Sequence, residues 1–179
     1  MALWFAFLRG INLGKRQLKM AELRDAMAEA GFAGMKTVLA SGNVRFVADG
    51  KGDAIRARLE QLIEHRFEFK VGVVLRSEHE LRQMLDQHPF GSLDPKADLT
   101  RHVLMFDRPL PEGIALDGVQ GHTEMLRIDA REVYFAGYRQ PNGRYTEGVE
   151  DVLKPLYARL DKGVLDTTRN WNTIEKMLP

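Results

Sequence analysis

The chain contains no cysteine. This absence excludes disulfide bonds, thiolate metal sites and cysteine nucleophiles, and it suits a reducing compartment. We therefore expect a cytoplasmic protein. The five histidines show neither a pair spaced by four residues nor an H-E-x-x-H sequence, so the sequence predicts no metal site.

Long apolar runs are also missing. The run near the N-terminus covers only residues 2–8, and no basic residue precedes it. A signal peptide needs a basic start and a longer apolar stretch, and a membrane-spanning helix needs about 20 apolar residues. We therefore expect no membrane partner, and we interpret the run as a buried β-strand.

The chain lacks a charge excess of either sign, because 26 basic residues face 25 acidic ones and the net charge is +1. A protein built around a polyanion usually shows a clear basic excess, so composition supports a nucleic-acid partner only weakly. Hydrophobic residues make up 44% and charged residues 28% of the chain, as in average soluble globular proteins. A chain of 179 residues is long enough for one domain or two small ones.

Hydrophobic periodicity predicts a β-α-β-β-α-β order for residues 1–76. The predicted strands cover residues 3–8, 35–40, 44–48 and 71–75. One helix is expected to begin at Met20 and to end before Gly31, and Asp53 is expected to cap the other. This is the order of a ferredoxin-like subdomain, in which strands one and three lie in the middle of an antiparallel sheet.

Residues 77–179 are predicted to form a second, less regular α+β subdomain that packs on the first. Ser77 and Glu80 have the spacing of a helix capping box. Residues 101–107 read as a strand, and "TEMLRID" and "EVYFAGY" read as a hairpin. A last helix is expected to begin with "TTRNWNT", residues 167–173, capped by Thr167 or Thr168. We expect this C-terminal helix to pack against the first subdomain.

The stretch "RGINLGKRQLK", residues 9–19, is a candidate anion-binding loop. Its glycines can turn backbone N–H groups toward an anion, and the start of the following helix adds a favourable dipole. The P-loop spacing and the G-x-G-x-x-G spacing are both absent. The alternative is a tight connection that needs glycine for its backbone conformation and whose basic side chains are solvated, and both interpretations stay open.

Two further polar stretches have a structural and a functional interpretation. "SGN", residues 41–43, is ordinary turn chemistry, and Ser41 lacks the G-x-S-x-G context of a nucleophile. In "TTRNWNT", capping leaves Arg169, Asn170 and Asn172 unexplained. Arginine is unfavourable at a helix N-terminus, so Arg169 needs an anionic partner, either inside the fold or from a ligand.

Taken together, "LRGINLG", "KMAELR", "LASGNVRF" and "TTRNWNTIEK" resemble the bacterial family called domain of unknown function 1697. "HPF" at residues 88–90 fits the family's asparagine-proline-phenylalanine in part, because His88 stands in place of the asparagine. The resemblance implies a ferredoxin-like N-terminal part with a second α+β part, and it implies no activity. The family's signature residues match here at Arg9, Gly10, Asn12, Ser41, Gly42, Asn43, Thr168, Arg169, Asn170 and Trp171.

These observations support three hypotheses about function. The first is that an anionic small molecule, bearing phosphate or carboxylate, binds at the junction of the two subdomains. Its ligand-binding residues would be Arg9, Gly10, Asn12, Ser41, Asn43, Thr168, Arg169, Asn170 and Trp171. The second is a nucleic-acid or protein-binding module that uses the sheet or the Lys15–Lys19 loop. The third is that the signature residues are a structural clasp. The sequence assigns no cofactor, reaction or oligomeric state.

Overall fold

A computed structural model describes residues 1–39 and 42–179. In this part of the chain the protein is mixed α+β, with two antiparallel four-stranded sheets and five helices. The chain divides into two compact units. Unit 1 comprises Met1–Gln83 and Thr173–Pro179, and unit 2 comprises Met84–Asn172.

Unit 1 begins with six elements around one sheet. They are β1 (Ala2–Arg9), α1 (Met20–Glu29), β2 (Ala33–Thr37), β3 (Asn43–Ala48), α2 (Gly52–Phe67) and β4 (Gly72–Ser77). The strand order is β2-β3-β1-β4, and all pairs are antiparallel. Strands β1 and β3 therefore lie in the middle of the sheet.

Residues 3–8 of strand β1 are apolar, and both faces of the strand are buried from Phe5 to Leu8. Ala6 and Leu8 belong to the core that the two helices cover. Phe5 and Phe7 point to the opposite face by the two-residue period of a strand, and both are fully buried. The expectation that residues 3–8 form a central strand is confirmed.

The helices of unit 1 bury the face that their periodicity predicts. Leu23 and Met27 of α1 and Ile55 and Leu59 of α2 all belong to the same core cluster. The predicted cap at Asp53 is wrong, because α2 begins at Gly52 and Lys51 occupies its N-cap. The Asp53 carboxylate instead lies in the first turn, where the helix dipole favours it.

The C-terminal segment of unit 1 is buried and hydrogen-bonded. Ile174 and Met177 are fully buried, and the Arg45 guanidinium donates to the Met177 carbonyl oxygen at 3.0 Å. Arg45 lies on β3. The chain end is therefore attached to the central part of this sheet.

Helix α3 (Glu78–Asp86) opens with the predicted capping box, and it spans the boundary between the two units. The Ser77 N–H donates to the Glu80 carboxylate at 2.7 Å, and the Glu80 N–H donates to the Ser77 hydroxyl at 3.3 Å. This reciprocal pair satisfies two backbone N–H groups at the helix start. The capping-box prediction is confirmed.

Unit 2 contains the second sheet. Its elements are β5 (Leu99–Phe106), β6 (Thr123–Ile128), β7 (Glu132–Tyr138), α4 (Val149–Tyr157) and β8 (Asp166–Asn170), followed by α5 (Trp171–Glu175), which crosses into unit 1. The strand order is β6-β7-β5-β8. The predicted hairpin is confirmed as β6 and β7.

The expectation that the second half is less regular is wrong, because it holds a complete antiparallel sheet. One face of that sheet carries Leu104, Phe106, Val133 and Phe135, and these side chains form a core with Leu153 and Leu156 of α4. The strand that the sequence did not reveal is β8, whose only buried residue is Thr167.

No helix in the described part of the chain is long and apolar enough to cross a membrane. Among residues 1–39 and 42–179, no three histidine or carboxylate side chains are grouped closely enough to hold a metal ion.

Candidate functional site

The end of β1 and the start of β3 bring two of the sequence stretches together. Phe7 pairs with Asn43 in the sheet, and the Leu8 N–H donates to the Gly42 carbonyl at 2.8 Å. Arg9 and Gly10, which follow directly along the chain, therefore lie close to Gly42, the residue before β3. Ser41 lies outside the described residues.

Asn43 is buried and hydrogen-bonded to Val38. Its side chain is 3% exposed, and its Nδ2 atom donates to the Val38 carbonyl at 3.4 Å. Its own carbonyl accepts from the Val38 N–H at 2.8 Å. These bonds give the Asn43 amide a role inside the fold.

The loop between β1 and α1 is anchored at two points and exposed between them. Ile11 and Leu18 are buried, whereas residues 12–17 are all exposed. Gly10 and Gly14 adopt φ angles of 76° and 60°, a region that other residues rarely occupy. A backbone bond of 3.0 Å from the Arg16 N–H to the Leu13 carbonyl tightens the middle of the loop.

This loop and the first turn of α1 line an open, polar pocket of about 670 Å³ on the surface. Its lining residues are Asn12, Gly14, Arg16, Gln17, Leu18, Lys19, Met20 and Ala21. Lys19 occupies the N-cap of α1 and makes no side-chain capping hydrogen bond. The first N–H groups of a helix have no acceptor within the helix, and they carry the positive end of its dipole.

Two cationic side chains line this pocket, and each contacts a neighbouring side chain of unit 1. The Lys19 ammonium lies 3.7 Å from the Glu22 carboxylate, and the Arg16 guanidinium lies 5.5 Å from the centre of the Phe69 ring. Both side chains are exposed. The pocket therefore combines positive side chains with the N-terminal end of a helix, which favours an anionic ligand.

The stretch "TTRNWNT" has a different local structure from the predicted one. Thr167 and Thr168 lie in β8 and pair with Met105 and Leu104 of β5, so neither caps a helix. Threonine is β-branched and suits an extended backbone, which outweighs its capping preference here. The cap is Asn170, whose Oδ1 atom accepts from the Asn172 N–H at 2.9 Å.

Trp171 packs into an aromatic cluster inside unit 2. Its ring centre lies 5.3 Å from that of Phe90 and 5.8 Å from that of Tyr134, and its side chain is 3% exposed. Arg101 lies 5.8 Å from the Phe90 ring centre and donates to the Asn172 Oδ1 atom at 2.5 Å. Trp171 and "HPF" are therefore connected through Phe90. The sequence did not point to Arg101.

Arg169 lies on β8, opposite Val103 of β5, and not in the first turn of a helix. Its guanidinium donates to the Thr167 hydroxyl at 2.5 Å and to the Thr168 carbonyl at 3.0 Å. Burial lowers the pKa of Arg169, because desolvation disfavours the charged form. These bonds to neighbouring oxygen atoms hold the side chain along the strand.

The predicted site residues thus fall into separate groups. Asn12 lines the pocket of unit 1, and Arg9, Gly10 and Asn43 lie at the adjoining end of β1 and β3. Residues 168–171 belong to unit 2. The convergence of Arg9, Asn43 and Arg169 stays a prediction. Sequence reasoning missed Gln17, because a lone glutamine in a loop carries no recognisable signal.

Unit 2 has a pocket of its own, of about 650 Å³, which the sequence did not suggest. Its polar side includes Glu124 and Tyr138, whose hydroxyl donates to the Glu124 carboxylate at 2.6 Å. This hydrogen bond raises the pKa of Tyr138. The phenol and the carboxylate already satisfy each other, so this pocket offers a ligand less than the basic pocket of unit 1 does.

Comparisons with known proteins agree with this architecture. The model of a family described as "Protein of unknown function (DUF1697)" matches residues 1–134. The structure of the conserved bacterial protein SP0830 from Streptococcus pneumoniae is similar, with a TM-score of 0.70 and 18% sequence identity. The likeness covers 98% of this chain and 96% of that chain, and at this identity it concerns the fold alone. No curated protein matches the chain.

Proposed function

The chain belongs to the DUF1697 family, and on the geometry of its β1–α1 loop we propose that it binds an anionic small molecule. The ligand carries a phosphate or carboxylate group, which enters the pocket of unit 1. Arg16 and Lys19 supply the positive charge, and Asn12 and Gln17 supply polar contacts. The pocket has no recognisable acid–base pair, so the proposal includes no reaction.

The observation that carries this proposal is the start of α1. Lys19 contributes no side-chain cap there, and a pocket of about 670 Å³ opens at the same point. This volume is in the range of ordinary small-molecule sites, roughly 300–1,000 Å³. An anion at this position would accept from the first N–H groups of the helix and would replace the missing cap.

The test is a thermal-shift screen of the wild type and the Arg16→Ala variant against inorganic phosphate, nucleotides, sugar phosphates and dicarboxylates. A ligand at 100 times its Kd stabilises a folded protein by about 2.7 kcal/mol, which is a readily measured shift. We expect one ligand class to raise the Tm of the wild type and to have a weaker effect on Arg16→Ala. Arg144→Ala is the matched control, because Arg144 is an exposed arginine of unit 2.

Amide chemical shifts in NMR spectra locate the binding of the same ligand. The N–H signals of Met20 and Ala21 should move when the ligand is added, since these groups lie at the start of α1 and line the pocket. The proposal fails if no compound raises the Tm of the wild type, or if Arg16→Ala and Arg144→Ala respond to the ligand equally.

We further infer that residues 167–173, of which all but Thr173 belong to unit 2, serve as a structural clasp. The supporting contacts are the Asn170 cap, the Trp171 ring cluster and the Arg101–Asn172 hydrogen bond. Arg169→Ala should lower the Tm without changing the ligand-induced shift, because Arg169 is hydrogen-bonded on β8 and does not line the pocket of unit 1. An unchanged Tm together with a lost ligand response would instead make Arg169 a binding residue.

We also propose that residues 1–76 form a ferredoxin-like subdomain and that the following residues form a second one. The β-α-β-β-α-β order with strands β1 and β3 in the middle supports this assignment. The alternative of a nucleic-acid-binding sheet receives less support, since Phe5, Phe7 and Phe46 are fully buried and cannot stack on bases. A nucleic acid bound by the Lys15–Lys19 loop would show steep salt dependence.

A further inference from the structure

Two leucines stand out from the same end of unit 1. Leu13 is 62% exposed and Leu39 is 61% exposed, whereas most large apolar side chains of the described residues are buried. Leu13 lies in the loop that follows β1, and Leu39 lies in the connection from β2 to β3. Because Phe7 pairs with Asn43, both connections leave the sheet at the same end.

The backbone holds both leucines outward. Leu39 has a φ of 58°, a left-handed conformation that is uncommon for a residue other than glycine. The Leu13 carbonyl accepts from the Arg16 N–H at 3.0 Å, and the side chain is not among those that line the pocket of the loop. Neither leucine completes the core cluster of unit 1.

The loop that carries Leu13 is rich in basic residues. Residues 9–19 contain Arg9, Lys15, Arg16 and Lys19 and no acidic residue. Among neighbouring acidic groups, Glu22 offsets Lys19 at 3.7 Å, and Glu68 is followed two residues later by Lys70. A local excess of positive charge therefore remains in a chain whose net charge is only +1.

We propose that this leucine-tipped end, formed by Leu13, Leu39, Lys15, Arg16 and Lys19, docks on the surface of an anionic lipid bilayer. Apolar side chains flanked by basic residues are the combination that binds proteins to the interface of such a membrane. Basic side chains near that surface are attracted by its negative potential. Single leucines that protrude from two connections suit insertion among head groups, whereas one isolated acyl chain would need a groove to enclose it.

This contact is peripheral and reversible. The expectation of no membrane partner rested on the lack of a spanning segment, and a surface contact does not need one. The docking surface shares Arg16 and Lys19 with the small-molecule pocket, whereas Leu13 and Leu39 are outside the pocket lining. Variants of these leucines therefore separate the two proposals.

The experiment is co-sedimentation of the full chain with vesicles of phosphatidylglycerol or of phosphatidylcholine at low salt. We expect the wild type to partition onto phosphatidylglycerol vesicles and to bind phosphatidylcholine vesicles at least tenfold more weakly. The double variant Leu13→Ser/Leu39→Ser should lose about tenfold in partitioning, since it removes several methyl and methylene groups from the interface. Lys15→Gln should lose roughly fivefold, as one basic residue near the surface contributes about that factor.

The matched control is Val119→Ser/Tyr157→Ser, which removes two of the exposed apolar side chains of unit 2 and should partition like the wild type. Equal binding of the leucine variant and the wild type would overturn the proposal. So would equal binding to the two kinds of vesicle, or no binding to either. Because the leucine variant keeps the pocket, its thermal shift with inorganic phosphate should match that of the wild type, and this measurement reports on the small-molecule proposal separately.

Discussion

The β1–α1 loop of unit 1 and the closing segment, residues 167–173, are both rich in polar residues, yet the polar side chains of the two stretches have different partners. In the loop, residues 12–17 are all exposed, and several of them line an open pocket. In the closing segment, Asn170 caps a helix and Asn172 accepts from Arg101. The polar side chains of the loop are accessible to a ligand, whereas Asn170 and Asn172 of the closing segment form hydrogen bonds within the protein.

A sequence motif that is dense in polar residues therefore does not by itself mark a binding site. Asn12 and Asn170 are the same residue type in equally distinctive stretches. Asn170 is bonded within its own segment, while Asn12 is exposed and lines the pocket. A binding residue needs unused hydrogen-bonding capacity that faces a concave surface, and only the tertiary structure reveals that.

Trp171→Ala should reduce the free energy of unfolding more than any substitution in the β1–α1 loop. The ring is 3% exposed and contacts both Phe90 and Tyr134, so its removal leaves a cavity that costs about 3–5 kcal/mol. Urea unfolding measures the loss. Val119→Ala serves as the control, because Val119 is 51% exposed. A loss below ~1 kcal/mol for Trp171→Ala would mean that the ring cluster does not stabilise the closing segment.

A paired substitution compares the two asparagines directly. Asn170→Ala removes the cap of α5 and should destabilise the protein by about 1 kcal/mol. Asn12→Ala should change the free energy of unfolding by less than ~0.5 kcal/mol, as expected for an exposed loop residue. Chemical denaturation of both variants tests this. Equal losses of unfolding free energy would show that Asn12 and Asn170 contribute equally to the stability of the fold.

The pH dependence of stability probes the strand beside the closing segment. His102 on β5 pairs with Asn170, and burial lowers the pKa of His102 below 6.5. The unfolded state therefore takes up a proton first as the pH falls through 6.5, so stability should fall from pH 7 toward pH 5. The slope should be well under the ~1.4 kcal/mol per pH unit that one proton can contribute, because the ring is only partly buried.

Unfolding curves at pH 7, 6 and 5 measure this dependence. His102→Gln should flatten it, since glutamine does not titrate. The stability of His122→Gln should retain the dependence of the wild type, because His122 is exposed. An unchanged pH dependence in His102→Gln would assign the effect to another group.

The smallest expected effect is that of Arg16→Ala on stability. Arg16 is exposed, and its contact with the Phe69 ring at 5.5 Å contributes about 0.5–1 kcal/mol at most at such a site. Thermal unfolding without ligand should therefore be close to that of the wild type. A loss of several kcal/mol would show that the loop, like the closing segment, holds the fold together.

Several elements were predictable because local physics decides them. Residues 3–8 are apolar without interruption, and β1 is indeed buried on both faces. The capping box needs only Ser77 and Glu80 at the right spacing. The hairpin of β6 and β7 follows from two alternating runs with a short turn between them.

Strand β8 could not be predicted in the same way. "DTTRN" has no alternation of apolar and polar residues, and only Thr167 is buried. Its extended backbone depends on hydrogen bonding to β5, which lies about sixty residues earlier in the chain. By sequence, Thr167 and Thr168 fit a helix cap as well as they fit a strand. The cap at Asn170 and the hydrogen bond between Asn172 and Arg101 could therefore not be predicted either.

The pattern of apolar and polar residues in the amino-acid sequence is sufficient to predict the β-α-β-β-α-β order of unit 1. The sequence also shows the basic, glycine-containing loop after β1. Which polar side chains form hydrogen bonds inside the protein depends on the tertiary structure. Hydrogen bonds between distant residues, such as Arg45 with Met177 and Arg101 with Asn172, depend on the packing of whole elements. No local pattern encodes such a bond, because each partner acquires its neighbour only when the sheet has formed.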